Sequence, residues 1–311
     1  MRSTLALLIA LFTTSLPAQK TKGVTYRVRM SSRLPTVMAG PSGDAAGPMV
    51  LAKATAIGSK ARFDLQAFQP MPSDISLDDY LLMLDSNQVY FVSAEQKTYC
   101  DASMLFNGGG LGMLGTIAGG RRGGAPQSSG SCIGSGAAGG GGRGRGRGGD
   151  AGVGNGRGSF NVQSAVTIDN IVTDLEDLGA DSVIEGRQTH HYRAVAEMNM
   201  SIMGNPAPLR ILIETWTVKV PFKIPNPFQG GFGGTTGDDP FSRVASSLSE
   251  LTKKIEGTPI RNVITTTLTN LGNTGMSLDF VQTTQITDIK EAEVDAKTLE
   301  LPAGYTKKSG G

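Results

Sequence analysis

The sequence predicts a mainly β (α+β) protein: an antiparallel sheet accompanied by one amphipathic helix. Three observations carry that expectation. Apolar residues recur with a two-residue period in several segments. Short turn-forming stretches join consecutive segments, which favours antiparallel pairing. One late segment switches to helical spacing. Across 311 residues, 39 % are hydrophobic, enough for a core, and 29 basic residues against 27 acidic ones argue against a general nucleic-acid binder.

In chain order, Met1–Ala18 comes first, with Arg2, an apolar run from Leu5 to Phe12, and small or polar residues up to Ala18. This is the layout of a secretory signal peptide cleaved after Ala18, so the mature chain is expected to be soluble and exported, periplasmic or secreted. The run is too short to span a bilayer, and the protein is not expected to be membrane-spanning. Without a cysteine directly after the run, lipoprotein attachment is not expected either.

Strands follow. Val24, Tyr26, Val28 and Met30 alternate with Thr25, Arg27, Arg29 and Ser31; Ala61, Phe63, Leu65 and Ala67 alternate with Lys60, Arg62, Asp64 and Gln66. Residues 80–84 and 89–92 flank Asp85-Ser86-Asn87 as a hairpin. Further strands are expected over residues 160–168, 189–203, 209–218, 260–269 and 276–287, with a turn over 270–275 joining the last two.

A Gly/Arg-rich insertion over residues 107–158 interrupts the strands and holds 24 of the 43 glycines. Ordering glycine costs the most backbone entropy, and few side chains here could offset it, so a flexible, disordered loop is expected. Residues 19–106 and 159–311 then form one domain. The loop carries six Arg (121, 122, 143, 145, 147 and 157) against Asp150. Single-stranded nucleic acid is not an expected partner, because no Phe or Tyr interleaves the repeats to stack on bases. Attraction to an anionic envelope polymer or lipid surface is the favoured reading. Gly110–Gly115 matches G-x-G-x-x-G but lacks the following helix and acidic residue of a dinucleotide cradle.

Cys100 and Cys132 are the only cysteines, and in an oxidising compartment they allow one disulfide. The rival, a nucleophilic Cys132, has no neighbouring His or helix terminus to lower its pKa. Pro240–Glu256 is the helix: Phe241, Val244, Ala245, Leu248, Leu251 and Ile255 share one face, with Asp239 placed to cap it.

Three early patches resemble the opening strands of LolA/LolB-like exported proteins: Gly58-Ser-Lys-Ala-Arg-Phe-Asp-Leu65, Tyr80-Leu-Leu-Met-Leu-Asp-Ser-Asn-Gln-Val-Tyr-Phe91 and Glu95-Gln-Lys-Thr-Tyr99. Val294-Asp-Ala-Lys-Thr-Leu-Glu-Leu-Pro-Ala-Gly-Tyr305 is similar to the closing signature of that superfamily. Leu178–Tyr192 is similar to a stretch in an uncharacterised branch of bacterial exported proteins. The resemblance implies a curved half-barrel sheet wrapped around helices, with a hollow that in some relatives carries acyl chains or lipids. None of these patches is a catalytic motif, and the Gly/Arg-rich insertion departs from the pattern.

No catalytic, cofactor-binding or metal-binding residue is assigned. His190 and His191 are adjacent, so on a strand they face opposite ways and cannot share one metal. His190 falls on a face with Tyr192, Ala194, Met198 and Met200, and His191 with Arg193 and Glu197; both are expected to be hydrogen-bonded structural groups. Trp216 is expected to anchor packing. The candidate apolar-ligand residues are Phe63, Leu65, Met198, Met200, Ile202 and Leu248, for which core packing is the competing role. Two functions follow: a non-enzymatic binder of a lipid, acyl chain or other apolar ligand, or a structural envelope protein acting through the Arg-Gly loop.

Overall fold

The computed structural model describes residues 20–33, 48–68, 76, 78–85, 88–103, 166–202, 204–229, 240–270 and 275–308. Several expectations lie wholly or partly outside these residues: the signal peptide over 1–18, Ser86-Asn87 of the first hairpin turn, the insertion over 107–158 with Cys132, the strand residues 160–165, Met203, the capping Asp239 and the turn residues 271–274.

The strands are β1 (Lys20–Arg33), β2 (Pro48–Ile57), β3 (Lys60–Phe68), β4 (Tyr80–Asp85), β5 (Gln88–Ser93), β6 (Thr98–Asp101), β7 (Val166–Ile184), β8 (Arg187–Ile202), β9 (Asn205–Pro206), β10 (Leu209–Val218), β11 (Thr258–Leu268), β12 (Leu278–Asp295) and β13 (Thr306–Lys307). Among the described residues one α-helix, α1 (Pro240–Thr252), separates β10 from β11. The strands build a single open sheet in the order β13-β6-β5-β4-β3-β2-β1-β12-β11-β10-β8-β7, with β9 beside β8. Every ladder is antiparallel except the two-residue pairing of β13 with β6. The protein is therefore mainly β, as the alternation predicts.

The hairpins follow from local chemistry. Glu185 and Gly186 join β7 to β8 in a two-residue turn, both with positive φ (52° and 70°), the geometry that matches strand twist. At Gly23 the requirement is space: a Cβ there would lie 2.4 Å from the Ala56 carbonyl oxygen on β2 and 2.8 Å from Val294 on β12.

Among the described residues, two plugs cover one face of the sheet, termed the inner face. Val244, Ala245, Leu248 and Leu251 of α1 pack on Ile168 of β7, Ala194 to Met200 of β8, Leu209 to Ile213 of β10 and Phe280 of β12. At the other end, Ile224 and Phe228 of the segment 218–228 pack over Tyr26, Phe63 and the small side chains Ala52, Ala54, Ala56 and Ala61. There Tyr26 meets Phe63, and Phe63 meets Phe228, edge to face with centroids 6.2 and 5.8 Å apart. The Tyr26 hydroxyl donates to the Pro225 carbonyl, and Thr284 Oγ1 donates to that of Phe228 at 3.4 Å. Strand β4 is covered on both sides. Leu81 and Met83 join the inner cluster, while Tyr80 and Leu82 pack outward with Val92, Leu301 and Tyr305. That double burial explains the unbroken apolar run from Tyr80 to Leu84.

The helix is shorter than the spacing predicts. After Thr252 the amides of Lys254 and Ile255 reach back three residues, to Leu251 and Thr252, so the last turn tightens and Glu256 lies beyond the helix. Strand β7 is longer than expected, running to Ile184 rather than ending at Ile168. Cys100 is buried and disulfide-bonded.

Candidate functional site

The alternation of β8 places His190, Tyr192, Ala194, Ala196, Met198 and Met200 on the inner face. Of the apolar-ligand candidates, Met198, Met200 and Leu248 come together beneath α1, with 3 %, 5 % and 0 % exposure. Phe63 and Leu65 lie in the other cluster, under the segment 218–228. Ile202 ends β8, and its side chain lies outside the described residues. The candidates thus occupy two separate packed regions of one face.

Between those regions a cleft of about 630 Å³ opens where β10 leaves the sheet and α1 ends. That volume falls in the range of small-molecule sites. Leu175, Tyr192 and Val218 give it apolar walls, and Arg187, Lys219 and Lys254 bring cations to it. Asp177 and Glu256 supply the acids, so the lining carries one more basic than acidic side chain, with His190 beside them. Gly257 closes one side, and its φ of +88° turns the chain tightly past Thr217.

His190 Nε2 lies 2.5 Å from Asp177 Oδ1, and the imidazole packs on Tyr192 with centroids 4.8 Å apart. The Gly179 amide also donates to Asp177 Oδ1, at 2.8 Å. That N–H, then the His190 hydrogen bond, holds the Asp177 carboxyl below the usual carboxylate range.

The outer face behind the cleft is polar and stacked. His191, 8 % exposed, lies flat on Trp216, with centroids 4.3 Å apart and planes inclined by 11°. From β11, on the other side of β10, the Arg261 guanidinium sits 4.8 Å from the Trp216 ring centre. Trp216 Nε1 donates to Asp181 Oδ2 at 2.6 Å, and His191 Nδ1 is 3.5 Å from the same oxygen. His191 Nε2 is 3.6 Å from Glu214 Oε1, which Arg193 also approaches, at 3.5 Å.

The two histidines thus face opposite ways, as their adjacency dictates, and Trp216 anchors packing. Their carboxylate partners were not legible in the sequence. Asp177 and Asp181 sit where the β7–β8 register shifts, between Asp177 and Gly179 and again between Ala180 and Val183. Pattern alone cannot place bulges of that kind. Among the described residues, no group of three or more His, Cys, Asp or Glu is arranged to hold a metal ion, and no helix is long and apolar enough to cross a membrane. Set against protein-family models, curated proteins and solved structures, the chain matches none of them.

Proposed function

We propose that the protein is an exported, periplasmic or secreted, non-enzymatic binder of an amphiphile such as a fatty acid or lipid. The acyl part would enter the cleft beside Leu175, Tyr192 and Val218, and an anionic head would meet Lys219 and Lys254. The observation that carries this reading is the cleft itself, which lies at the seam between the two inner-face clusters and combines apolar walls with cations. A bound chain could extend from the seam under α1, where Met198 and Met200 offer side chains that adapt to irregular apolar shapes. In this reading the open sheet curls into the half-barrel that the LolA/LolB resemblance implies, and residues 1–18 direct export.

Saturable uptake of a fluorescent fatty acid by the full chain tests the function. Ala180→Trp, which places an indole in the cleft from exposed β7, is expected to abolish uptake while leaving thermal unfolding cooperative. Lys253→Ala, exposed just beyond the end of α1, is expected to change nothing. Leu248→Asp puts a charge at a site with no solvent exposure and is expected to unfold the domain, at a cost of several kcal/mol. Absence of saturable uptake by the wild-type chain would refute the reading, as would full uptake by the Ala180→Trp variant.

A further inference from the structure

The stretch of β7 that walls the cleft is also where its ladder to β8 is most broken. The register shifts twice between Asp177 and Val183, and Gly179 has φ +79°. Interrupted backbone pairing on an edge strand leaves side chains to hold the segment. On the inner face Asp177 holds it through His190; on the outer face Asp181 holds it through Trp216 and His191. These are the only two histidines in the chain.

His191 is the unusual one. Its Nδ1 faces Asp181 of β7 at 3.5 Å, and its Nε2 faces Glu214 of β10 at 3.6 Å. Nε2 is buried and has no hydrogen-bond partner. A neutral imidazole carries one N–H and can donate to one of these carboxylates; an imidazolium donates to both. Closing the gap to Glu214 needs a movement of roughly half an ångström or slightly more to reach ordinary hydrogen-bond length. The stacked Trp216 face adds cation–π attraction for the charged ring.

We infer that His191 is a proton-operated lock which, when protonated, ties the edge strand β7 through β8 to β10 and holds the outer wall of the cleft shut. Asp181 and Glu214 favour the cation. Arg193 opposes it but is itself shared between Glu214 and Glu176, at 3.5 Å from each, and Arg261 lies beyond the indole. On the inner face, protonation of His190 strengthens its pairing with Asp177 in the same direction, facing Arg187, Lys219, Lys254 and Glu256 across the cleft. The lock tightens when the imidazole takes up a proton and loosens when it loses one. Regulation of ligand entry by this lock rests on the binding function proposed above; the lock itself does not.

Amide hydrogen exchange of residues 175–184 in the full chain, corrected for intrinsic rates, tests it. Protection is expected to be about tenfold greater at about pH 5.5 than at about pH 8, either side of the ordinary histidine range. His191→Gln, which cannot become a cation, is expected to flatten that difference, and Asp181→Asn to reduce it. Equal protection of the wild-type segment at the two pH values would overturn the lock, as would an undiminished difference in His191→Gln. If His191→Gln fails to fold, nitrogen-15 shifts of the wild-type imidazole decide: the protonation midpoint must coincide with the midpoint of the exchange change. A fatty acid taken up with the same rate at both pH values would refute regulation of the cleft. No uptake at either pH would refute the binding function, while the exchange arm still decides the lock.

Discussion

Gly257 is the residue on which the shape of the cleft most depends. It follows the helix end with φ +88°, and a Cβ there would lie 2.9 Å from Thr217 Oγ1, 3.1 Å from Thr217 Cβ and 3.2 Å from the Val218 carbonyl oxygen. Gly257→Ala therefore carries two penalties. Left-handed backbone in an L-residue costs about 1–2 kcal/mol, and overpacking against a strand that cannot retreat costs about 1–3 kcal/mol. The lost unfolded-state freedom returns about 0.4–1 kcal/mol, so the expected net loss is about 1–4.6 kcal/mol. Gly204→Ala is the internal control, because its φ is also positive (+80°) but nothing lies within 4 Å of the added Cβ. Urea unfolding with an unchanged m-value measures both variants. Gly257→Ala should shift the midpoint clearly more than Gly204→Ala, and Thr217→Ala should partly relieve it. If the two glycine variants lost the same stability to within about 0.5 kcal/mol, the range in which distant surface changes usually fall, the close approach of Gly257 to β10 would be refuted.

Three other outcomes are expected. Tyr26→Phe strands the buried Pro225 carbonyl and should cost about 1–3 kcal/mol in urea unfolding, with the Tyr26 hydroxyl, whose pKa burial raises, silent in alkaline titration below its unfolding. Asp177 has a folded-state pKa below its unfolded one, so its stabilising contribution is present above the usual carboxylate range and is lost as pH falls through the lowered value; Asp177→Asn should flatten that part of the melting-temperature profile in acid and leave the rest intact. Deleting residues 107–158 together with Cys100→Ser should preserve one cooperative thermal transition, measured by circular dichroism, since the flanking strands carry the alternation.

What could be read from the sequence depended on how each strand is buried. Strand β10 matches its expected span, Leu209–Val218, because Leu209, Ile211 and Ile213 face the core while Arg210, Leu212 and Glu214 do not. Strand β2 went unread: its buried positions include Ala52, Ala54 and Ala56, a residue type with low strand preference, and only the plug above them makes small side chains suitable. Most of β7 was hidden for a different reason. Its stretch from Asp169 to Asp181 is acidic and largely exposed, it contains positive φ at Asn170 and Gly179, and it is held in the sheet by β8 rather than by its own pattern. The facing of His190 and His191 needed only strand geometry. Their pairing with Asp177 and Asp181 needed the register shifts, which are tertiary facts.

The position of the cleft follows from a mismatch of dimensions. Twelve strands side by side at about 4.8 Å spacing give an inner face about 50 Å across, measured along the sheet. A helix of 13 residues is about 20 Å long and about 10 Å wide, so α1 can cover only part of that face. It takes the β7–β12 end, where Ile168, Met198, Leu209 and Phe280 complement its apolar stripe. The β1–β3 end is left to the segment 218–228, which fits because the alanines beneath it leave room for Phe228 and Ile224. Both plugs are tethered to neighbouring strand ends, the segment to the end of β10 at Val218 and α1 to the start of β11 at Thr258. The last residues of β10 and the residues after α1 must therefore run past each other, and Gly257 against Thr217 is where they do. A seam there is required by the chain path, and side-chain chemistry decides what fills it. Leu175, Tyr192 and Val218 could have been matched by apolar residues from α1; instead the chain places Lys254 and Glu256 opposite them. That choice lines the seam with charge beside its apolar walls.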